Sequence, residues 1–134
     1  MKRNFFLLFI LSLFIPFFLS GCVPLIVGGA AAGAGAGTYY YVNGELKTDY
    51  NKSFDHVWTA CEKTIAGMRG TEVIPDKEIA RGTINATINN EKVKFYITYK
   101  LKNVTTVAIR VGLIGNKLSS QRLHDKIADN LAQD

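Results

Sequence analysis

Charged residues are absent from a long segment of this 134-residue chain: none stands between Arg3 and Glu45. Histidine and cysteine are also scarce, with two of each. No His-x-x-x-His or Cys-x-x-Cys spacing and no carboxylate cluster accompanies them. The sequence therefore predicts no metal site and no cofactor.

The surplus of positive charge is small. The formal net charge is +5, and it falls to +3 without Lys2 and Arg3. A surplus this small and dispersed does not indicate nucleic-acid binding. Because 48% of its residues are apolar, the chain can bury a core, and its length suits one small domain.

The N-terminus has the features of an export signal. Lys2 and Arg3 precede an apolar run over residues 5–19. Only Ser12 and Pro16 interrupt this run, and small residues follow it. A secretory signal typically has a charged start, a short apolar stretch and small residues at the cleavage site. A membrane-spanning helix, by contrast, needs about 20 apolar residues.

Residues 19–22, at the end of this run, read Leu-Ser-Gly-Cys. This motif resembles the lipobox of bacterial lipoproteins, in which the signal is cut before a cysteine whose sulfur carries diacylglycerol and whose new amine is acylated, often with palmitate. The resemblance implies a lipoprotein signal peptide over residues 1–21 and a lipidated Cys22. Two or more acyl chains anchor a protein stably in a membrane.

The destination of the protein depends on the residue after Cys22. In bacteria with two membranes, Asp at that position typically retains a lipoprotein in the inner membrane, and here Val23 occupies it. The resemblance therefore implies the periplasmic face of the outer membrane, or the outer face of the inner membrane in a host with one membrane. The alternatives are a plain signal peptide, or an uncleaved anchor in which Cys22 is incidental.

Residues 22–37 form a small-residue segment that follows the signal. After Cys22 it reads VPLIVGGAAAGAGAG. The glycines disfavour a helix and Pro24 prevents an early one, which favours a flexible tether. Alternatively, Gly29, Gly33 and Gly37 share one face of a membrane-associated helix.

Residues 38–134 are expected to form a single α+β domain. Aromatic and β-branched residues flank Asn43-Gly44, which is typical of a type I′ hairpin, with a bulged continuous strand as the alternative. Ser53 is a good N-cap for a helix ending near Gly67 or Gly70. The predicted buried stripe of this helix is Phe54, Val57, Trp58, Cys61, Ile65 and Met68.

Four short strands and a second helix follow in the prediction. The strands cover residues 72–74, limited by Pro75, and residues 82–88, 93–101 and 105–113. Alternation places these side chains inward: Ile84, Ala86, Ile88, Val93, Phe95, Ile97, Tyr99, Leu101, Val107, Ile109, Val111 and Leu113. The last helix is capped by Asn116, Ser119 or Ser120, and its stripe is Leu123, Ile127 and Leu131. The fold class is therefore α+β, an antiparallel sheet of four to five strands with two helices on one face, in the order β(β)-α-β-β-β-β-α.

Three motifs follow the small-residue segment: YVNGEL over residues 41–46, SFDHVW over 53–58 and VGLIG over 111–115. With the lipobox, they resemble a family of small bacterial lipoproteins with a domain of unknown function. The likeness covers nearly the whole mature chain and implies location and fold, but no activity. Asn116 stands where Asp is expected in that pattern, which weakens a role for a carboxylate there.

The remaining candidates for chemistry are Cys61, His56 and His124. Cys61 lies in the predicted buried stripe, which indicates a small core hydrophobe rather than a reactive thiol. His56 is expected on the solvated face of the first helix, and His124 beside Leu123. Because no base–nucleophile pair is found, no enzymatic activity is expected.

The open face of the sheet is expected to carry Tyr96 among four lysines, Lys92, Lys94, Lys100 and Lys102. One interpretation is contact with anionic lipid headgroups or an acidic envelope polymer. The other is a solvated face whose lysines protect a sheet edge from strand addition. A similar choice, between a membrane interface and strand packing, applies to Tyr39, Tyr40 and Tyr41.

Two functions fit these features. The first is a membrane-anchored periplasmic lipoprotein whose domain is a non-enzymatic structural or protein-interaction module with an envelope protein partner. The second is a periplasmic lipoprotein that binds a lipid or small apolar ligand between helix and sheet. The second requires a cavity of at least about 300 Å³, lined by residues such as Trp58, Phe95 and Tyr99.

Overall fold

A computed structural model describes residues 38–134. The predicted signal peptide, lipidated cysteine and tether lie outside the described residues. The elements are β1 (Tyr40–Val42), β2 (Glu45–Tyr50), α1 (Phe54–Gly67), β3 (Thr71–Lys77), β4 (Arg81–Ile88), β5 (Glu91–Leu101), β6 (Val104–Val111) and α2 (Lys117–Ala132). In this part of the chain no helix has the length and apolar character needed to cross a bilayer.

The six strands form one antiparallel sheet in the order β1-β2-β6-β5-β4-β3. The two helices pack against each other, and both contact the central strand β6. Their apolar stripes meet the inward side chains of the sheet in one core. The α+β class and the element order agree with the prediction, whereas the number of strands exceeds the predicted four to five.

The additional strand comes from the hairpin at Asn43-Gly44. Both residues have positive φ, 52° and 82°, and Val42 lies opposite Glu45. These are the dihedrals that a type I′ turn requires. The hairpin prediction is therefore confirmed over the bulged strand, and β1 and β2 count as separate strands.

Helix α1 begins and ends as its sequence predicts. The Ser53 hydroxyl accepts a hydrogen bond from the backbone N–H of His56, and the helix ends at Gly67. Trp58 on this helix packs so closely over β4 that a Cβ at Gly82 would collide with the indole ring. The absence of a side chain at Gly82 therefore lets the helix approach the sheet.

The inward alternation predicted for β5 and β6 fails at the strand ends. Val93, Phe95 and Ile97 are buried, but Tyr99 is 48% exposed and Leu101 62% exposed. Leu113 is 95% exposed because β6 ends at Val111 and Gly112 turns the chain with φ of 72°. Strand β5 therefore extends beyond the area that the two helices cover.

The prediction that Pro75 limits its strand is also wrong. Strand β3 continues through Pro75, which pairs with Ile84, to Lys77. Since β3 is the outermost strand and pairs only with β4, one side of its backbone needs no ladder donor. Proline is therefore tolerated there.

Candidate functional site on the open sheet face

The thiol of Cys61 is enclosed in the core. It is fully buried on α1, and burial, followed by the charge of Glu62, raises its pKa. A nucleophilic cysteine needs access and a lowered pKa. The arrangement therefore suits a packing role for Cys61.

The two histidines have opposite environments. His56 is exposed on α1, with Nδ1 2.7 Å from the Ser53 hydroxyl. His124 is completely buried on α2, and the expectation that it merely flanks the Leu123 stripe is wrong. No group of three or more potential metal ligands occurs within residues 38–134.

His124 joins three elements of the domain. Its Nε2 lies 2.8 Å from the carbonyl oxygen of Leu46, which can only accept, so Nε2 carries the proton. Its Nδ1 then accepts from the Tyr50 hydroxyl, 2.8 Å away. Desolvation lowers the pKa of His124 to about 4. The ring is thus a neutral structural connector, without contact to an open cavity.

The face of the sheet opposite the helices is polar and open. Strand pairing aligns Asn85, Lys94 and Arg110 in one row across β4, β5 and β6, with Ile74 of β3 at its end. The next row contains Thr83 and Tyr96. No element of the described domain covers these rows.

An open groove of about 1040 Å³ lies at one end of this face. Its lining includes three cations, two carboxylates and two exposed apolar side chains: Lys92, Lys94, Arg110, Glu72, Glu91, Ile74 and Leu113. Ile74 is 63% exposed. We call this concavity the open-face groove. It combines positive charge with apolar contact area, as protein-recognition surfaces do.

Arg110 is held in place at the floor of this groove. Its Nη2 donates to the carbonyl of Asn43 at 2.5 Å, which ties β6 to the β1–β2 turn. Its Nε is buried and has no hydrogen-bond partner within the described residues. Sequence reasoning missed the groove because it placed Leu113 in the core and did not single out Arg110.

The structure brings only part of the predicted lysine strip together. Lys94 Nζ lies 5.0 Å from the centroid of the Tyr96 ring, and Lys92 lines the same groove. Lys100 is farther along β5 in an ion pair of 2.5 Å with Asp49, and Lys102 lies in the β5–β6 turn. The edge interpretation is wrong because β5 lies between β4 and β6.

The three tyrosines near the start of β1 have different environments. Tyr39 packs edge-to-face on the His124 ring, and its hydroxyl donates to Asp125 over 3.4 Å. Burial, followed by the charge and hydrogen bond of Asp125, raises the pKa of Tyr39 to about 12. Tyr40 and Tyr41 are 45% and 40% exposed.

One concavity at the edge of the helix–sheet interface is small. A concavity bounded by Met68, Ile88 and Leu123 measures about 80 Å³. Trp58 and Phe95 are packed in the core, while Tyr99 lies on a separate outer concavity beside the start of α1. Trp58, Phe95 and Tyr99 therefore do not line one common cavity in the described domain.

The fold and its open face define a small α+β domain with a six-stranded antiparallel sheet, covered by two helices on one side only. The chain belongs to the DUF3568 family, described as a protein of unknown function, whose model matches residues 4–130. No curated protein matches the chain.

Proposed function

We propose that this protein is a lipoprotein held by acyl chains on Cys22 at the periplasmic face of the outer membrane. Its domain is a non-enzymatic structural or protein-interaction module. The observation that carries the anchor is the Leu-Ser-Gly-Cys motif directly after a charged start and an apolar run. In a host with one membrane, the same anchor places the domain on the outer face of that membrane.

The burial of Cys61 supports the choice of Cys22 as the modified residue. Acylation requires a thiol that an enzyme can reach, and the Cys61 side chain is enclosed between α1 and the sheet. The chain has two cysteines. Cys22 is therefore the cysteine on which the proposed anchor depends.

The open-face groove supports a role in protein interaction. The three cations of its lining outnumber the two carboxylates, Glu72 and Glu91, which favours a partner with acidic side chains. Leu113 offers an apolar anchor at 95% exposure. An acidic partner surface with an apolar centre complements this combination.

The anchor is tested by growing cells with labelled fatty acid and comparing the wild-type chain with Cys22→Ser. The proposal expects label in the wild type, none in the variant, and loss of the variant from the membrane fraction. Unchanged fractionation of Cys22→Ser, or wild-type protein without label, would contradict the anchor.

The interaction role is tested with a photo-crosslinking amino acid at Lys94 in cells. A matched position is Thr59, which is exposed on α1, on the other side of the domain. A discrete crosslinked product from position 94, absent from position 59 and lost in Lys92→Glu, supports the proposal. Equal products from both positions, or none from position 94, would contradict it.

A further inference from the structure

The two ends of the sheet differ in their relation to the N-terminal segment. Tyr40 pairs with Lys47, and β1 runs antiparallel to β2, so the chain before Tyr40 comes from the end where β2 finishes at Tyr50. We call this the proximal end. The opposite end, with Asn43-Gly44 and Gly112, is the distal end.

The proximal end displays apolar side chains on two turns. Ile79, in the β3–β4 turn, is fully exposed at 101%, and Leu101, at the end of β5, is 62% exposed. Tyr99 is 48% exposed and lines the same outer concavity as Ile79. Nothing in the described domain covers Ile79, although exposing an isoleucine to water is unfavourable.

Backbone hydrogen bonds hold these turns in place. The N–H of Glu78 donates to the carbonyl of Arg81 at 2.8 Å, which closes the β3–β4 turn. The N–H of Tyr99 donates to the carbonyl of Ala80, also at 2.8 Å, and so ties this turn to β5. The apolar side chains are therefore presented by a fixed backbone.

The charges around these turns suit a lipid headgroup region. The acidic groups of Asp49, Asp55 and Glu78 are each in an ion pair, with Lys100, Lys77 and Arg81 respectively. Asp76, exposed on β3, also interacts with Arg81. Lys102 follows Leu101 directly and is exposed. Lysine and arginine can keep their charge among headgroups while their stems lie against apolar groups, and tyrosine favours the same interface.

We infer that the proximal end lies against the bilayer that holds the acyl chains, with Ile79, Tyr99 and Leu101 in its interface. This inference rests on the proposed anchor at Cys22. Residues 23–37 reach at most about 54 Å at roughly 3.6 Å per residue. Because the chain enters the domain at the proximal end, this end can contact the bilayer at any length of the tether, and contact with these three side chains sets the orientation. The open-face groove, at the distal end, then points away from the bilayer.

The experiment uses the acylated full-length mature protein in vesicles of phosphatidylethanolamine and phosphatidylglycerol. Single cysteines replace Ile79, Leu101 or Leu113 and carry the same environment-sensitive fluorophore. The buried Cys61 stays unlabelled in the folded protein. Leu113→Cys is the matched control, because Leu113 is as freely exposed as Ile79 but lies at the distal end.

Spin-labelled lipids should quench the fluorophore at positions 79 and 101 severalfold more than at position 113, with a blue shift at the first two. Equal quenching at all positions, no quenching at positions 79 and 101, or stronger quenching at position 113 would overturn the orientation. The intact mass of each preparation is measured in parallel. A protein with acylated Cys22 and no quenching at the proximal end contradicts the orientation alone, whereas an unacylated protein contradicts the proposed anchor as well.

Discussion

The Tyr50 hydroxyl and the His124 ring form a buried hydrogen bond between β2 and α2, with 2.8 Å between Oη and Nδ1. The same hydroxyl lies 3.1 Å from the backbone carbonyl of His124. On the other side of the ring, Nε2 donates to Leu46. These contacts fix α2 against β2.

The burial of His124 predicts a loss of stability in mild acid. Its pKa is about 4 in the folded state and near 6.5 when unfolded, so the unfolded chain binds this proton first as pH falls. The stabilisation is present above pH 6.5 and is lost as pH falls towards 4, by on the order of 3 kcal/mol. Urea unfolding at a series of pH values measures this change.

His56→Gln is the control for this prediction, because His56 is exposed on α1. Its unfolding free energy should show the same pH dependence as the wild type between pH 6.5 and 4. His124→Gln should flatten that dependence. If the unfolding free energy of His124→Gln depends on pH as strongly as that of the wild type, His124 is not the cause of the loss of stability in acid.

Removing the Tyr50 hydroxyl should also destabilise the domain. In Tyr50→Phe the buried Nδ1 of His124 loses its donor, and an unsatisfied buried polar atom costs about 1–3 kcal/mol. Tyr96→Phe, on the open face of β5, should change the unfolding free energy by less than about 0.5 kcal/mol. Urea unfolding measures both changes. Equal losses of unfolding free energy in the two variants would contradict a stabilising contribution of the Tyr50–His124 hydrogen bond.

Gly115 is required by its backbone conformation and by its neighbour. Its φ is 96°, and a Cβ there would collide with the backbone of Gly44 in the β1–β2 turn. Gly115→Ala should therefore lower the unfolding free energy by more than about 1 kcal/mol. Gly67→Ala, at the end of α1 with open space around it, should raise the free energy by up to about 1 kcal/mol. A stable Gly115→Ala variant would show that the two turns do not pack as described.

Thiol titration tests the different positions of the two cysteines. The native acylated protein should show no reactive thiol, because Cys61 is fully buried and its pKa is raised. After denaturation a single thiol should react. Thr59→Cys, exposed on the same helix, supplies the positive control. Rapid reaction of native wild-type protein would place Cys61 outside the core, and a second thiol after denaturation would mean an unmodified Cys22.

Local patterns predicted the elements whose signals lie within a few residues. Ser53 and the apolar spacing after it predict α1, and Asn43-Gly44 predicts the first hairpin. The strand ends could not be predicted in the same way, because alternation continues at Tyr99 and Leu101 where no helix covers the sheet. How far a helix reaches over a strand depends on packing, which alternation does not report.

The buried environment of His124 could not be predicted from local sequence patterns either. Its partners Tyr50 and Leu46 are 74 and 78 residues away along the chain. The open-face groove likewise combines Ile74, Lys94 and Arg110 from three different strands. Such groups come together only through the strand order, which short-range patterns leave undetermined.

The intact mass of the protein extracted from membranes tests the central claim most directly. The account predicts a chain that starts at Cys22 and carries the added mass of a diacylglycerol thioether and an N-acyl chain. A chain of the same start without added mass, or one that retains residues 1–21 without acylation, would contradict the lipid anchor.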